Sequence, residues 1–267
     1  MTITIDMPGT FRLGAVFSTS VKAFGRHALV FIIVSAIAHI PGYLWSSSVV
    51  DDYAWALPSP WADWLIPVTG LISVLIAYGA MIYAVLQDLA GRPVAITKAI
   101  TIVTRRLLLL MGALVPIMAL IGLARPVFPE SRTEAAVIGF AVASFALTAI
   151  SWLVMMMYFA AAPVCVAEQV GIGAALSRGR FLTKGYRWRI FVTILLVGTL
   201  EFAIMMIGSA VAFSLALIRH WEVHHVTITV IGVILPVLGA YNAALAAVFY
   251  DRLRSAKDGV HLAKVFD

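Results

Sequence analysis

A chain of 267 residues that is 62% hydrophobic and 12% charged, with a mean hydropathy of +1.00, departs far from the about 45–50% apolar and about 25% charged make-up of a water-soluble domain. Water is therefore excluded as its main solvent, and the single Cys165 excludes an intrachain disulfide. The net charge of +6 sits beside apolar runs rather than on a soluble face, which points to membrane lipids with anionic headgroups as partners and not to nucleic acid.

Residues 1–10 are short and turn-prone, with Pro8-Gly9. Leu13, Phe17, Val21 and Phe24 then recur at spacings of four and three, with Arg12, Ser18, Thr19 and Lys22 mainly elsewhere. This is the pattern of a helix lying in the headgroup plane. Arg26 and His27 lead into the uncharged run Ala28–Val50. About 20 apolar residues cross a bilayer core, so this run is the first expected span. The segment before it, and the lack of a small-residue site after it, argue against a cleaved signal peptide. Pro41 is expected to kink or end the helix.

The loop Asp51–Trp64 holds three aspartates, no cation, and Trp55, Trp61 and Trp64, as in an outer interfacial belt. Leu65–Gln87 returns and closes on Asp88. A second in-plane helix is expected from the stripe Ile96, Ile100, Val103 and Leu107, with Lys98, Thr101 and Arg105 off it. Leu107–Ala124, with Pro116 inside, is a short third span. Beyond the loop Arg125–Glu134, Ala135–Ala167 forms the fourth span and Glu168 closes it. Ser177–Phe191 packs Arg178, Arg180, Lys184, Arg187 and Arg189 ahead of the fifth run, Ile190–Ile218; the loop Arg219–His225 and the sixth run, Val226–Tyr250, follow.

The segments assigned to the cytoplasm carry 16 of the 19 Lys and Arg and 6 acids, against 3 cations and 6 acids in the three outer loops. By the positive-inside rule both termini face the cytoplasm. Arg26, Arg105 and Arg187 are 79 and 82 residues apart, and Asp88, Glu168 and Asp251 are 80 and 83 apart. The expected fold is an all-α polytopic membrane protein of six transmembrane helices. It forms one domain of three approximate hairpin repeats (11–91, 92–171 and 172–251), each opened by a basic amphipathic in-plane helix, and a tail at 252–267.

Ser177–Phe191, its N-terminal echo Phe17–His27, and Phe249–Gly259 together resemble a bacterial family of six-span membrane proteins. That family is similar to the membrane domain preceding the catalytic barrel of some glycerophosphoryl diester phosphodiesterases. The resemblance implies a helical bundle in the bacterial cytoplasmic (inner) membrane. The phosphodiesterase activity is not expected to carry over, since no catalytic barrel is expected after Asp267 and no catalytic residue of the family maps onto this chain.

Motifs for chemistry agree with a non-enzymatic reading. There is no His-Glu-x-x-His, no Gly-x4-Gly-Lys and no Gly-x-Ser-x-Gly, and no cofactor is expected. Glu201 stands inside the fifth run, where a charge costs about 2.5–3.5 kcal/mol to insert. It is either a proton or cation site or a protonated acid bonded to Asn242 or Tyr241 of the sixth run. His220, His224 and His225 are weak metal candidates, the first two by their i, i+4 spacing. The stripe Gly239, Ala243 and Ala247 is read as packing, against this chain, a membrane partner or a second copy. Lys22, Arg26, Arg105, Arg106, Arg178, Arg180, Lys184, Arg187 and Arg189 form an expected cytoplasmic collar for anionic headgroups. The functional expectation is a lipid-associated scaffold or accessory module; the alternative is a small transporter or channel using Glu201.

Overall fold

The computed structural model describes residues 13–51, 62–112, 134–168 and 170–259, which are all-helical, with no strand among them. In chain order they form α1 (Leu13–Asp51), α2 (Ala62–Leu89), α3 (Ile96–Thr104), α4 (107–112 as far as described), α5 (Glu134–Tyr158), α6 (Ala161–Ala167), α7 (Ile172–Thr183), α8 (Arg187–Arg219) and α9 (Val223–Asp258). Among the described residues five stretches are long and apolar enough to cross a membrane: Leu13–Leu44, Leu65–Leu89, Phe145–Ala167, Arg187–Arg219 and His225–Asp258. Most of the expected third span with Pro116, the side chains of Trp55, Trp61 and Trp64, and the chain after Gly259 lie outside the described residues.

α9 packs along α1, α2 and α8, and α1 packs along α2. The core lies toward one end of this group. Met81, Ile82, Val85 and Leu86 of α2 are buried there with Ala243, Ala247, Phe249 and Tyr250 of α9 and all of α6. The small-residue stripe of α9 thus packs inside the chain: a Cβ on Gly239 would meet Ser35 and His39 of α1 at 3.5 and 3.6 Å. Outward faces stay apolar. Leu200, Phe202, Ile207 and Ile218 of α8 are each at least 60% exposed, a surface suited to hydrocarbon rather than water.

Four local features differ from the sequence expectation. Of the two outcomes expected at Pro41, a kink or an end, the end does not occur: α1 continues through it, and the non-helical backbone inside α1 is at His27 (φ −124°, ψ 16°). Ser73 of α2 donates to the Ala38 carbonyl near the proline at 2.7 Å, the kind of help from a neighbouring helix that lets proline persist in a span. Ahead of the kink, Val16, Ser20 and Ala23 are buried while Val21 is 57% exposed. The drift of a 3.6-residue helix over successive i+4 steps carries Val21 off the covered stripe.

The expected single run Ala135–Ala167 breaks between α5 and α6. Pro163 lacks the N–H that would reach Phe159, and Thr183 donates to the nearby Met157 carbonyl at 3.0 Å. Finally, the charged tail begins inside a helix. α9 continues past Asp251 to Asp258, where Gly259 ends it with φ 66°.

Candidate functional site

The polar chemistry collects at the end of the helices where the chain turns around Asp88, Glu168, Lys184 and Asp258. Gly91 allows the first of these turns. With φ 71° it follows α2, while the Arg92 N–H reaches the Gln87 carbonyl at 2.9 Å and its own N–H reaches Asp88 at 3.0 Å, a Schellman stop that proline then reinforces. Asp88 receives Arg26 at 2.9 Å and His27 at 3.3 Å, so the kink at His27 is tied to the end of α2. Arg106 donates to the Cys165 carbonyl at 3.1 Å. Arg252 of α9 reaches Thr19 of α1 at 3.4 Å.

Arg178 is the centre of a denser network. Its Nε lies 3.3 and 3.2 Å from the two carboxylate oxygens of Glu168, and its Nη2 binds Asp258. Tyr250 donates to Glu168 at 2.8 Å, and Arg254 donates to Tyr250 at 3.3 Å. Burial, the largest single influence on the Arg178 guanidinium, favours its neutral form. The hydrogen bond to Asp258 and the charges of Glu168 and Asp258 outweigh it, and the pKa ends above the ordinary arginine value. This network joins α6, α7 and α9.

A different set of cations in the same stretch faces a cavity. Ser177, Arg180, Phe181, Lys184 and Arg187 wall a space of about 420 Å³. The turn between α7 and α8 creates it: Gly185 adopts φ 92°, and the Lys184 and Tyr186 N–H groups reach the Phe181 and Thr183 carbonyls at 3.2 and 3.0 Å. The chain thus reverses within three residues and brings Lys184 and Arg187 to the same opening as Arg180. The Arg187 Nε is shielded from solvent and has no hydrogen-bond partner among the described residues. Aromatic rings line the surroundings. Lys257 lies 5.5 Å from the Phe181 ring and 5.8 Å from the Tyr186 ring, and Arg189 lies 5.9 Å from Tyr186. Trp188, 73% exposed, stacks on Phe191 at 5.2 Å.

The nine cations expected to form one collar therefore divide. Arg26, Arg106 and Arg178 are engaged by groups of the protein itself. Arg180, Lys184 and Arg187 meet at one cavity. Lys22, Arg105 and Arg189 are exposed, and none of the three walls that cavity.

The intramembrane candidate is also assembled. Glu201 lies near the middle of α8, and Asn242 of α9 donates to its Oε1 at 2.7 Å. Tyr241 of α9 and Tyr78 of α2 lie within longer electrostatic range of the carboxyl. Sequence reasoning did not single out Tyr78, which sits inside an uncharged run with no local signal to distinguish it.

The helical premise behind the histidine pair is corrected. His220 ends α8 in the left-handed region (φ 54°) and α9 begins at Val223, so His220 and His224 do not share a helix face. His225 pairs with Glu222 at 3.2 Å, and the His224 side chain lies outside the described residues. No group of three or more His, Cys, Asp or Glu among the described residues is placed to hold a metal ion.

Fold and site together define an all-helical protein with, among its described residues, five helices of membrane-crossing length and a basic cavity at a helix turn. No protein-family model, curated protein or solved structure matches the chain.

Proposed function

We propose that this is a non-enzymatic multi-pass protein of a bacterial inner membrane that holds anionic lipid phosphate at the turn between α7 and α8, as a lipid-associated scaffold or accessory module. One observation carries the reading: Arg180, Lys184 and Arg187 wall a single cavity next to the start of a membrane-length helix. Each cation near an anionic surface contributes about 1 kcal/mol, and arginine presents a planar fork of donors to phosphate oxygens. The exposed Trp188 beside it is suited to the headgroup level.

The wider topology belongs to the same proposal. Six spans in three repeats, with both termini in the cytoplasm, would put the breaks at His27, at Arg105–Arg106 and at Lys184–Tyr186 on one side. In each repeat a basic segment would precede a span. The test replaces Arg180, Lys184 and Arg187 together by Gln, purifies both proteins from the same membranes and quantifies bound lipid. Loss of anionic lipid with zwitterionic lipid retained is expected, and an unchanged lipid complement would sink the reading.

A second reading, a small transporter or channel, is favoured by the Glu201–Asn242 bond between two membrane-length helices, since intramembrane acids commonly mark ion routes. It requires water to reach the acid. With Cys165→Ser as background and Glu201→Cys added, rapid reaction with small thiol reagents from one side of sealed vesicles would support it. Absence of reaction in the folded variant would leave Glu201 as a packing acid.

A further inference from the structure

The cavity at the α7–α8 turn concentrates more positive charge than one phosphodiester can balance. Three cationic side chains, Arg180, Lys184 and Arg187, line about 420 Å³, and no carboxylate is among its walls as formed by the described residues. Glu168 and Asp258 are both held by Arg178, and neither walls the cavity. The N-terminus of the 33-residue α8 begins at the same wall, and its N-cap Tyr186 provides no side-chain cap. The first-turn N–H groups therefore add partial positive charge there. Within that wall the Arg187 Nε is buried without a partner among the described residues.

We propose that the pocket selects a phosphomonoester dianion, the headgroup of a phosphatidic-acid-type lipid, over the phosphodiester of ordinary anionic lipids. The inference rests on the reading of this cavity as a headgroup site. A phosphodiester offers one negative charge and two terminal oxygens. A phosphomonoester offers about −1.5 to −2 near neutral pH and three terminal oxygens, one for each cationic side chain. Phe181 supplies an apolar wall for the glyceryl end. The same chemistry exists on soluble phosphomonoesters, and the membrane-length α8 with exposed Trp188 favours the lipid as its source.

The test is competition binding to the purified full chain in detergent, read by native mass spectrometry. Phosphatidic acid and phosphatidylglycerol of matched acyl chains are offered at equal concentration, without and with glycerol 3-phosphate. The expected result is a preference of about fivefold for phosphatidic acid, the effect of about one further charge at the membrane surface. Arg187→Gln should abolish that preference. Should that variant fail to fold, the exposed Lys184→Gln reads the same property. Equal binding of the two lipids overturns this inference and leaves the headgroup site standing; binding of neither overturns both. Displacement by equimolar glycerol 3-phosphate upholds the phosphomonoester site and overturns the lipid as its source.

Discussion

Arg178 and Arg187 lie nine residues apart in the same basic stretch, one in an ion-pair network and the other at the wall of a cavity, and substitution tests whether the proposed roles divide the same way. Arg178→Gln removes a guanidinium whose Nε faces both oxygens of Glu168 at 3.3 and 3.2 Å and whose Nη2 holds Asp258. The three side chains are only 28%, 16% and 21% exposed, so solvent screens the interaction weakly. Hydrogen bonds to charged groups contribute about 1.5–3 kcal/mol each, but neither carboxylate is left bare. Glu168 keeps the Tyr250 hydroxyl at 2.8 Å, and Asp258 keeps Arg254 at 3.6 Å. The expected loss is about 2–3 kcal/mol, read as a lower midpoint for unfolding in detergent by intrinsic fluorescence, with bound anionic lipid unchanged. Arg178→Lys should recover less than half of it, because an ammonium is a point charge without the planar fork. The raised Arg178 pKa sets the sign of any pH effect. Its contribution is complete below the unfolded-state value and is lost only as pH rises through the folded value, so neutral and mildly alkaline buffers should not alter it. A loss below about 0.5 kcal/mol, outside the range expected for charged hydrogen bonds, or a loss of lipid equal to that of Arg187→Gln, would refute the division of roles.

Other perturbations test neighbouring parts of the account. A double-mutant cycle on Glu201→Gln and Asn242→Ala should give a coupling of about 0.6 kcal/mol and no more than about 1.7, the range of hydrogen bonds between membrane helices; zero coupling would mean that the 2.7 Å contact contributes nothing. Gly179→Val should cost about 1–3 kcal/mol as overpacking, because even a Cβ there meets the Ala161 backbone N at 3.1 Å and Cα at 3.3 Å; an unchanged unfolding midpoint would contradict that close approach of α6 and α7. Cys165 is fully buried, so maleimide should label it only in denaturant, and fast labelling of the native protein would show that α6 is not enclosed.

The sequence made the helices legible because hydropathy and charge act locally along the chain. Glu201 stood out for the same reason: a lone acid in an uncharged run has a cost that does not depend on tertiary structure, and that cost called for a donor such as Asn242. The partners of the cations were not legible in this way. Arg178 and Arg180 are two positions apart in one basic run, yet one is paired with Asp258, eighty residues away in sequence, and the other faces a cavity. That difference depends on α9 continuing as a helix to Asp258 and on the positive φ of Gly185, neither of which a charge count contains. The histidine spacing misled for a related reason. An i, i+4 interval implies a shared face only inside one helix, and His220 is a left-handed cap. The break before Pro163 was hidden by a run whose hydropathy does not change across it.

The most direct test of the central claim is an experimental density map of the protein in lipid nanodiscs containing phosphatidic acid. The account expects phosphate density at the α7–α8 turn, in contact with Arg180, Lys184 and Arg187, and its loss in the triple Gln variant. A well-resolved turn with an empty cavity, in a map that shows lipid phosphates elsewhere around the protein, would contradict it.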